Sequence, residues 1–321
     1  MKLRLLPVLA LLAAAAFPAA ADPSYPNKPV RVVVGYTAGG ASDIIGRLIT
    51  KELSAMNNQP FVVDNKPGVG GMLGLSLVAK APADGYTLGV AVSGMLVTGP
   101  HLQKNKLYDP LTAFEPITLV AKAPMIMLAA PDFKFNTVSL LVKEAKAKPQ
   151  GELMFASGAQ AFELAMQLFN AKAGVKLGSV PYPGGAQAAI DVMSGRVPIM
   201  VDTIGAQQAN IRAGKLKAVA VLDSKRSAVL PDVPTVAEAG VPGYEAMGWT
   251  SIVAPKGTPE AIIRKLNGQL RQIMTMPEIS EKLSGLGFEP TSGSPKDLER
   301  LIQSDYAKWG AVVKEAGLVA E

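Results

Sequence analysis

Several stretches of this chain place glycine and small polar residues between a predicted strand and a predicted helix, where the chemistry on offer is that of backbone N–H groups. The first is Gly35-Tyr36-Thr37-Ala38-Gly39-Gly40-Ala41-Ser42-Asp43, which follows a valine run (Val30, Val32, Val33, Val34) and opens an amphipathic segment. Ser157-Gly158-Ala159-Gln160 and Tyr182-Pro183-Gly184-Gly185 repeat the arrangement. Glycine lets the chain bend tightly and lets a ligand approach the backbone. The first helical turn carries unpaired N–H donors and a partial positive charge, a seat for an anion. The candidate contacts are therefore Tyr36, Thr37, Ala38, Gly39, Gly40 and Ser42, then Ser157, Gly158, Ala159 and Gln160, then Tyr182, Pro183 and Gly184. Gly71, Ser93, Asp202 and Thr203, near the ends of further predicted strands, complete the set. Asp202 either accepts a ligand N–H or caps the helix that follows. Asp43 is read as stabilising its own helix start, because like charges repel.

Other chemistries fit poorly. The chain has one histidine, His101, and no cysteine, so zinc sites built on Cys and His are excluded. His101 lies between Pro100 and Gln103-Lys104-Asn105-Lys106, which reads as an exposed loop and a poor place for a triad base. Ser93 lacks the glycines of a nucleophile elbow. Gly68-Val69-Gly70-Gly71-Met72-Leu73 approaches a dinucleotide fingerprint but has Leu73 where the third glycine belongs, and it lacks the Lys-Ser/Thr of a P-loop. No cofactor, metal or enzymatic activity is expected.

The elements that must carry these turns alternate. Strands are predicted at Val30–Val34, Phe61–Val63, Thr87–Val92, Leu153–Ala156, Leu177–Val180, Val197–Val201, Leu216–Leu222 and within Tyr244–Val253. Helical spacing recurs at Ile44, Ile45, Leu48, Ile49 and Leu53, with Ser42 or Asp43 as the cap. A helix carrying Phe162, Ala165, Leu168 and Phe169 ends at Gly174, and the tail is helical at Ile262–Met274, Ile279–Ser284 and Pro295–Ala316. Phe162 is read as core. Such alternation means α/β architecture with parallel βαβ units and doubly wound sheets. Ligands of such sheets sit beyond the carboxyl ends of the strands, where every turn named above falls.

The N-terminus reads as an export signal: Lys2 and Arg4, an apolar run from Leu5 to Ala16, and Ala19-Ala20-Ala21 as cleavage site. Cleavage after Ala21 leaves about 300 residues, room for two lobes at roughly 150 per domain. A composition of 49% apolar and 18% charged residues supports a packed globule. The formal charge of +6 loses two units with the signal, and the remaining bases are scattered without interleaved aromatics, which argues against nucleic-acid binding. The absence of cysteine excludes a lipidated N-terminal Cys and fits a periplasmic protein.

In order along the chain, these motifs resemble the substrate-binding receptors of tripartite tricarboxylate transporters, the Bug-type periplasmic proteins. Tyr25-Pro26-Asn27-Lys28-Pro29-Val30-Arg31 is similar to the family opening, Ala38-Gly39-Gly40-Ala41-Ser42-Asp43 to its A-G-G-x-[ST]-D, and Asp64-Asn65-Lys66-Pro67-Gly68-Val69-Gly70-Gly71 to its E-N-[RK]-P-G-A-G-G. Ala81-Pro82-Ala83-Asp84-Gly85-Tyr86, Val180-Pro181-Tyr182, Leu230-Pro231-Asp232-Val233-Pro234-Thr235 and Pro255-Lys256-Gly257-Thr258-Pro259 fit as well. The resemblance implies a two-lobed Venus-flytrap receptor (type II periplasmic-binding-protein fold), a small organic carboxylate in the cleft, and delivery to inner-membrane transporter subunits. A monomer is expected, with residues 22–122 and 250–321 as one lobe and 123–249 as the other. The alternatives are an amino-acid or amide ligand, or a sensor that feeds a signalling partner. One departure bears on the ligand: where relatives carry a histidine after the A-S-x-G-x-G turn, this chain has Glu163 in a turn one residue shorter. Facing the cleft, Glu163 would disfavour a second carboxylate; on the helix flank it would be solvated or paired.

Overall fold

Residues 25–134 and 136–318 are described by the computed structural model; the leader and its cleavage site lie outside them. The valine run forms β1 (Val30–Val34), which buries four of its five residues, and the turn after it opens α1 (Ala41–Asn57). The chain continues through β2 (Phe61–Asn65), α2 (Met72–Ala79), β3 (Thr87–Val92), a π-helical turn at Gly94–Thr98, and β4 (Phe114–Ala123). Next come β5 (Met125–Ala129), α3 (Val138–Ala147), β6 (Met154–Ser157), α4 (Gln160–Ala173), β7 (Gly178–Pro181) and α5 (Gly185–Met193). They are followed by β8 (Ile199–Thr203), α6 (Ile204–Arg212), β9 (Lys217–Val221) and β10 (Gly248–Pro255). The tail holds α7 (Glu260–Met274), α8 (Pro277–Gly285), β11 (Glu289–Pro290) and α9 (Pro295–Glu315).

Two sheets result, one ordered β11-β4-β10-β3-β1-β2 and the other β7-β6-β8-β5-β9. The βαβ strands pair in parallel as expected, β1 with β2 and β3 and β6 with β7 and β8, whereas β10 runs antiparallel to β3 and β4, and β5 antiparallel to β8 and β9. Connectivity explains the reversal. The chain leaves the first sheet at Ala123, at the carboxyl edge, and β5 enters the second from its carboxyl edge, with Met125 opposite Thr203. It returns as β10, whose Thr250 sits opposite Val92 at the end of β3. Strands entering from the edge that the others exit must run the other way. Both crossings therefore link carboxyl edge to carboxyl edge, and the loops after β1, β3, β6, β7 and β8 look onto the region between the lobes.

Each sheet is covered on both faces. Ile45, Ile49 and Leu53 of α1 pack with Leu266, Leu270 and Ile273 of α7 on one face of the first sheet. Leu75 and Val78 of α2 lie on the other, in a core continuous with Phe169 of α4 and Trp309 of α9. Ala188 and Val192 of α5 join Ile204 of α6 on the far face of the second sheet. The tail does more than pack back on the first lobe, because α9 touches β4 and also α4. Gly174 takes the left-handed conformation that ends α4, as its position predicts. Among the described residues no helix is long and apolar enough to cross a membrane.

Candidate ligand-binding cleft

The cap of α1 is Gly40, which corrects the expectation of Ser42 or Asp43. Having no side chain, it leaves the first-turn N–H groups without a side-chain cap. Asp43 sits three positions past the cap, and its buried carboxylate reaches back to accept the Gly39 N–H at 2.9 Å. It also accepts from Arg47 Nε at 2.9 Å and Asn65 Nδ2 at 2.9 Å. The Arg47 hydrogen bond is the main cause of a carboxyl held at about 2, against burial, with Gly39 and Asn65 adding to the effect. Asn65 also donates to the Tyr36 carbonyl at 2.9 Å, and the Tyr36 hydroxyl donates to Gly70 O at 3.0 Å. The braced loop leaves Thr37, Ala38 and Gly39 exposed, with Gly40 and Ser42 half-buried. Gly71 is buried against Gly35 at the start of this loop, where a side chain would drive into the Met95 methyl and the Tyr36 ring.

On the facing lobe α4 and α5 repeat the arrangement: their caps, Ala159 and Gly184, supply no side-chain hydrogen bond. Elsewhere α3 and α9 are capped by Thr137 and Ser294, while α7 and α8 start at Pro259 and Met276 without a side-chain cap, so it is the convergence of three such starts that marks the cleft. The Ser157 hydroxyl donates to Ala159 O at 3.2 Å, and the Tyr182 hydroxyl donates to Asp191 at 2.8 Å. A Cβ on Gly158 would stand 2.5 Å from the Gly185 nitrogen, so the turns after β6 and β7 touch backbone to backbone. Pro183 is exposed. Asp202 is buried and accepts from Thr203 N at 2.7 Å and Gln207 Nε2 at 2.7 Å. Burial pushes its carboxyl up, with the two hydrogen bonds pulling the other way. Of the two roles open to Asp202, the structure displays the helix-binding one. Thr203 caps α6 by accepting the Ala206 N–H.

Glu163 lies on the flank of α4, accepting from Gln167 Nε2 at 2.8 Å and from the Ser179 hydroxyl. With Ser157, Ala159, Gln160 and Tyr182 it lines a cavity of about 690 Å³ that Leu102 and Leu318 also line. A smaller cavity of about 160 Å³ brings Ser93 of the first lobe to Thr203 of the second, walled by Met125, Phe162, Met247 and Trp309. Phe162, read as core, is half-buried and faces this space. His101 is no exposed loop residue: its ring stacks on Tyr306 at 4.0 Å and Nε2 lies 2.8 Å from the Tyr306 carbonyl, because α9 packs over it.

Sequence reasoning missed Arg47 and Asn65 as braces of the first loop. Arg47 lies four residues after Asp43, a readable helical ion pair. Ser179, Met247 and Trp309 carried no such signal.

The profile of the tripartite tricarboxylate transporter family receptor matches residues 45–318. A UPF0065 protein in the tcbD-tcbE intergenic region of a Pseudomonas species is 37% identical over 92% of this chain and 89% of its own. The R. palustris protein solved with adipate superposes with a TM-score of 0.74 at 36% identity, covering 91% of this chain and 98% of that one. MatC of Rhodopseudomonas palustris, solved with bound malate, gives 0.71 at 32%, covering 90% and 100%.

Proposed function

We propose, for a chain that belongs to the tripartite tricarboxylate transporter receptor family, that it captures a small organic carboxylate between its lobes and hands it to inner-membrane transporter subunits. Members of the family are periplasmic solute-binding receptors, and the relatives solved with adipate and malate hold carboxylates. The observation that carries the reading is the set of helix starts left without side-chain caps at α1, α4 and α5, offered from facing edges of the two sheets. Unpaired N–H groups with a partial positive charge suit a carboxylate and leave it dehydrated at low cost. The first loop would hold the anion directly or through ordered water. Ser157, Gly158 and Gln160 would meet the other end, beside Tyr182. Bending at Pro124 and near Met247, where the chain crosses, would close the lobes on the ligand. The chain would act as a monomer, without cofactor or catalysis.

A thermal-shift series with carboxylates, neutral sugars and cations tests this. A ligand at 100 times its dissociation constant that binds only the folded state adds about 2.7 kcal/mol, a shift of several degrees. Carboxylates that leave the melting temperature unmoved while sugars or cations raise it overturn the reading.

A further inference from the structure

The small cavity lies where both crossing segments pass: Ala123 and Met125 line it from one, Met247 and Gly248 from the other. It is the floor of the cleft, next to the hinge. Its walls are Met125, Phe162, Met247 and Trp309, and its polar side chains are the hydroxyls of Ser93, Thr98 and Thr203. Thr98 already donates to Gly94 O, while Ser93 and Thr203 accept from the Trp249 and Ala206 N–H groups and keep their own O–H groups to donate. No charged side chain lines it. Yet it reaches the first turn of α4 through Ala161 and Phe162, so it opens beside one of the helix starts described above.

We propose that this floor cavity is a subsite for the apolar body of the ligand, and that the ligand is a monocarboxylate carrying a single ring or a compact branched chain. The inference rests on the carboxylate-receptor reading and narrows it. The volume of about 160 Å³ suits such a group; an apolar protein cavity of about 150 Å³ takes up benzene. Ligand sites of this kind combine apolar walls with a few orienting polar groups. A carboxylate held at the helix starts leaves the rest of the molecule to descend toward Phe162 and Trp309. A second carboxylate taking that path would enter a space without a cation, with only the Ser93 and Thr203 hydroxyls to donate to it, where a dehydrated charge is strongly disfavoured. The larger cavity offers it no cation either, since its one ionisable carboxylate side chain is Glu163.

Calorimetry on the full-length mature chain separates the possibilities. Benzoate and cyclohexanecarboxylate are expected to bind about tenfold or more tightly than acetate, adipate and malate, through burial of the ring. A Cβ built on Gly94 meets nothing nearer than 4.0 Å, so Gly94→Leu sends its side chain into the cavity. That variant is expected to bind the ring acids about tenfold more weakly and to change acetate binding less than about threefold. Should Gly94→Leu not fold, Ala161→Leu fills the same space from the opposite wall and carries the same expectation. Ring acids that bind no tighter than adipate and malate, or a variant that loses ring acids and acetate equally, overturn the subsite. Failure of every carboxylate to bind the parent chain overturns the receptor reading itself.

Discussion

The two edges that face each other across the cleft are built by opposite means. On the first lobe, Gly39 has nothing within 4 Å of where its Cβ would be, and for Gly40 the nearest atom is Thr37 O at 3.5 Å. On the second, the cap Gly184 is equally open, but Gly158 behind it is pressed against the Gly185 backbone. The first loop's acid, Asp43, is neutralised by Arg47, while Glu163 and Asp202 opposite are held by neutral donors from Gln167, Ser179, Gln207 and the Thr203 backbone. One edge thus presents open backbone with its acidic charge cancelled. The other is tightly packed and keeps its acids uncompensated by cations. On the proposed reading, the difference would divide the work, with anion capture at the first edge and shape selection at the second.

Paired substitutions break this contrast most directly. Gly40→Val places a side chain in open space over the first-turn donors, so carboxylate affinity should fall about 100-fold, or about 3 kcal/mol, with an unchanged melting temperature. Gly158→Ala forces two backbones apart, an overpacking that costs about 1–3 kcal/mol and lowers melting by a few degrees. Calorimetry and thermal melts on both variants check the pair. Unfolding of Gly40→Val, or a Gly158→Ala chain as stable as the parent, would remove the distinction between the edges.

The acidic residues sharpen it next. The folded-state pKa of Asp43, about 2, lies below the ordinary aspartate value of 3.8. Ionised Asp43 therefore stabilises the folded loop above the ordinary value, and that contribution disappears as pH falls through about 2. Arg47→Met removes the largest cause of the depression, so the variant's acid transition should move upward, toward pH of about 4. Circular dichroism followed from about pH 5 to about pH 2 reads both midpoints. Coincident midpoints would mean that Arg47 does not brace the loop.

The comparison also explains what was legible beforehand. Valines at Val30, Val32, Val33 and Val34 fix a buried strand, and a glycine run after it has few readings other than a tight exit into α1. Thr87–Val92 and the stop at Gly174 follow from equally local signals. β4 was not read, and α6 was expected only as an unbounded helix after Asp202-Thr203. Glu115, Pro116 and Lys122 interrupt the apolar pattern of β4, and Ile204–Arg212 holds few apolar residues, so tertiary contacts decide both. The antiparallel entry of β5 and β10 is a consequence of two crossings, which no local window contains. The same limit applies to the site. The exposed first edge is one contiguous stretch that a local window contains, whereas the floor cavity draws Met125, Phe162, Met247 and Trp309 from distant segments. Spacing carries no trace of such a wall.

The smallest expected effect concerns Glu163. Its two oxygens accept from Gln167 and Ser179, and Glu163→Gln keeps the size and one acceptor while the Ser179 hydroxyl can turn to accept instead. Folding should therefore survive. What changes is a negative charge on the wall of the larger cavity. A unit charge at 4 Å contributes about 1 kcal/mol in a water-like dielectric and about 4 kcal/mol near a protein surface, less with salt. Adipate and malate should bind several-fold more tightly to the variant, and the gain should shrink as ionic strength rises. Benzoate, with no second carboxylate to repel, should bind almost unchanged. If the dicarboxylates gain nothing, the charge of Glu163 acts only within its own helix flank, and the acid content of the second edge is structural. If benzoate gains as much as adipate, the repulsion is felt at the first carboxylate, and the two edges share the anion instead of dividing capture from selection.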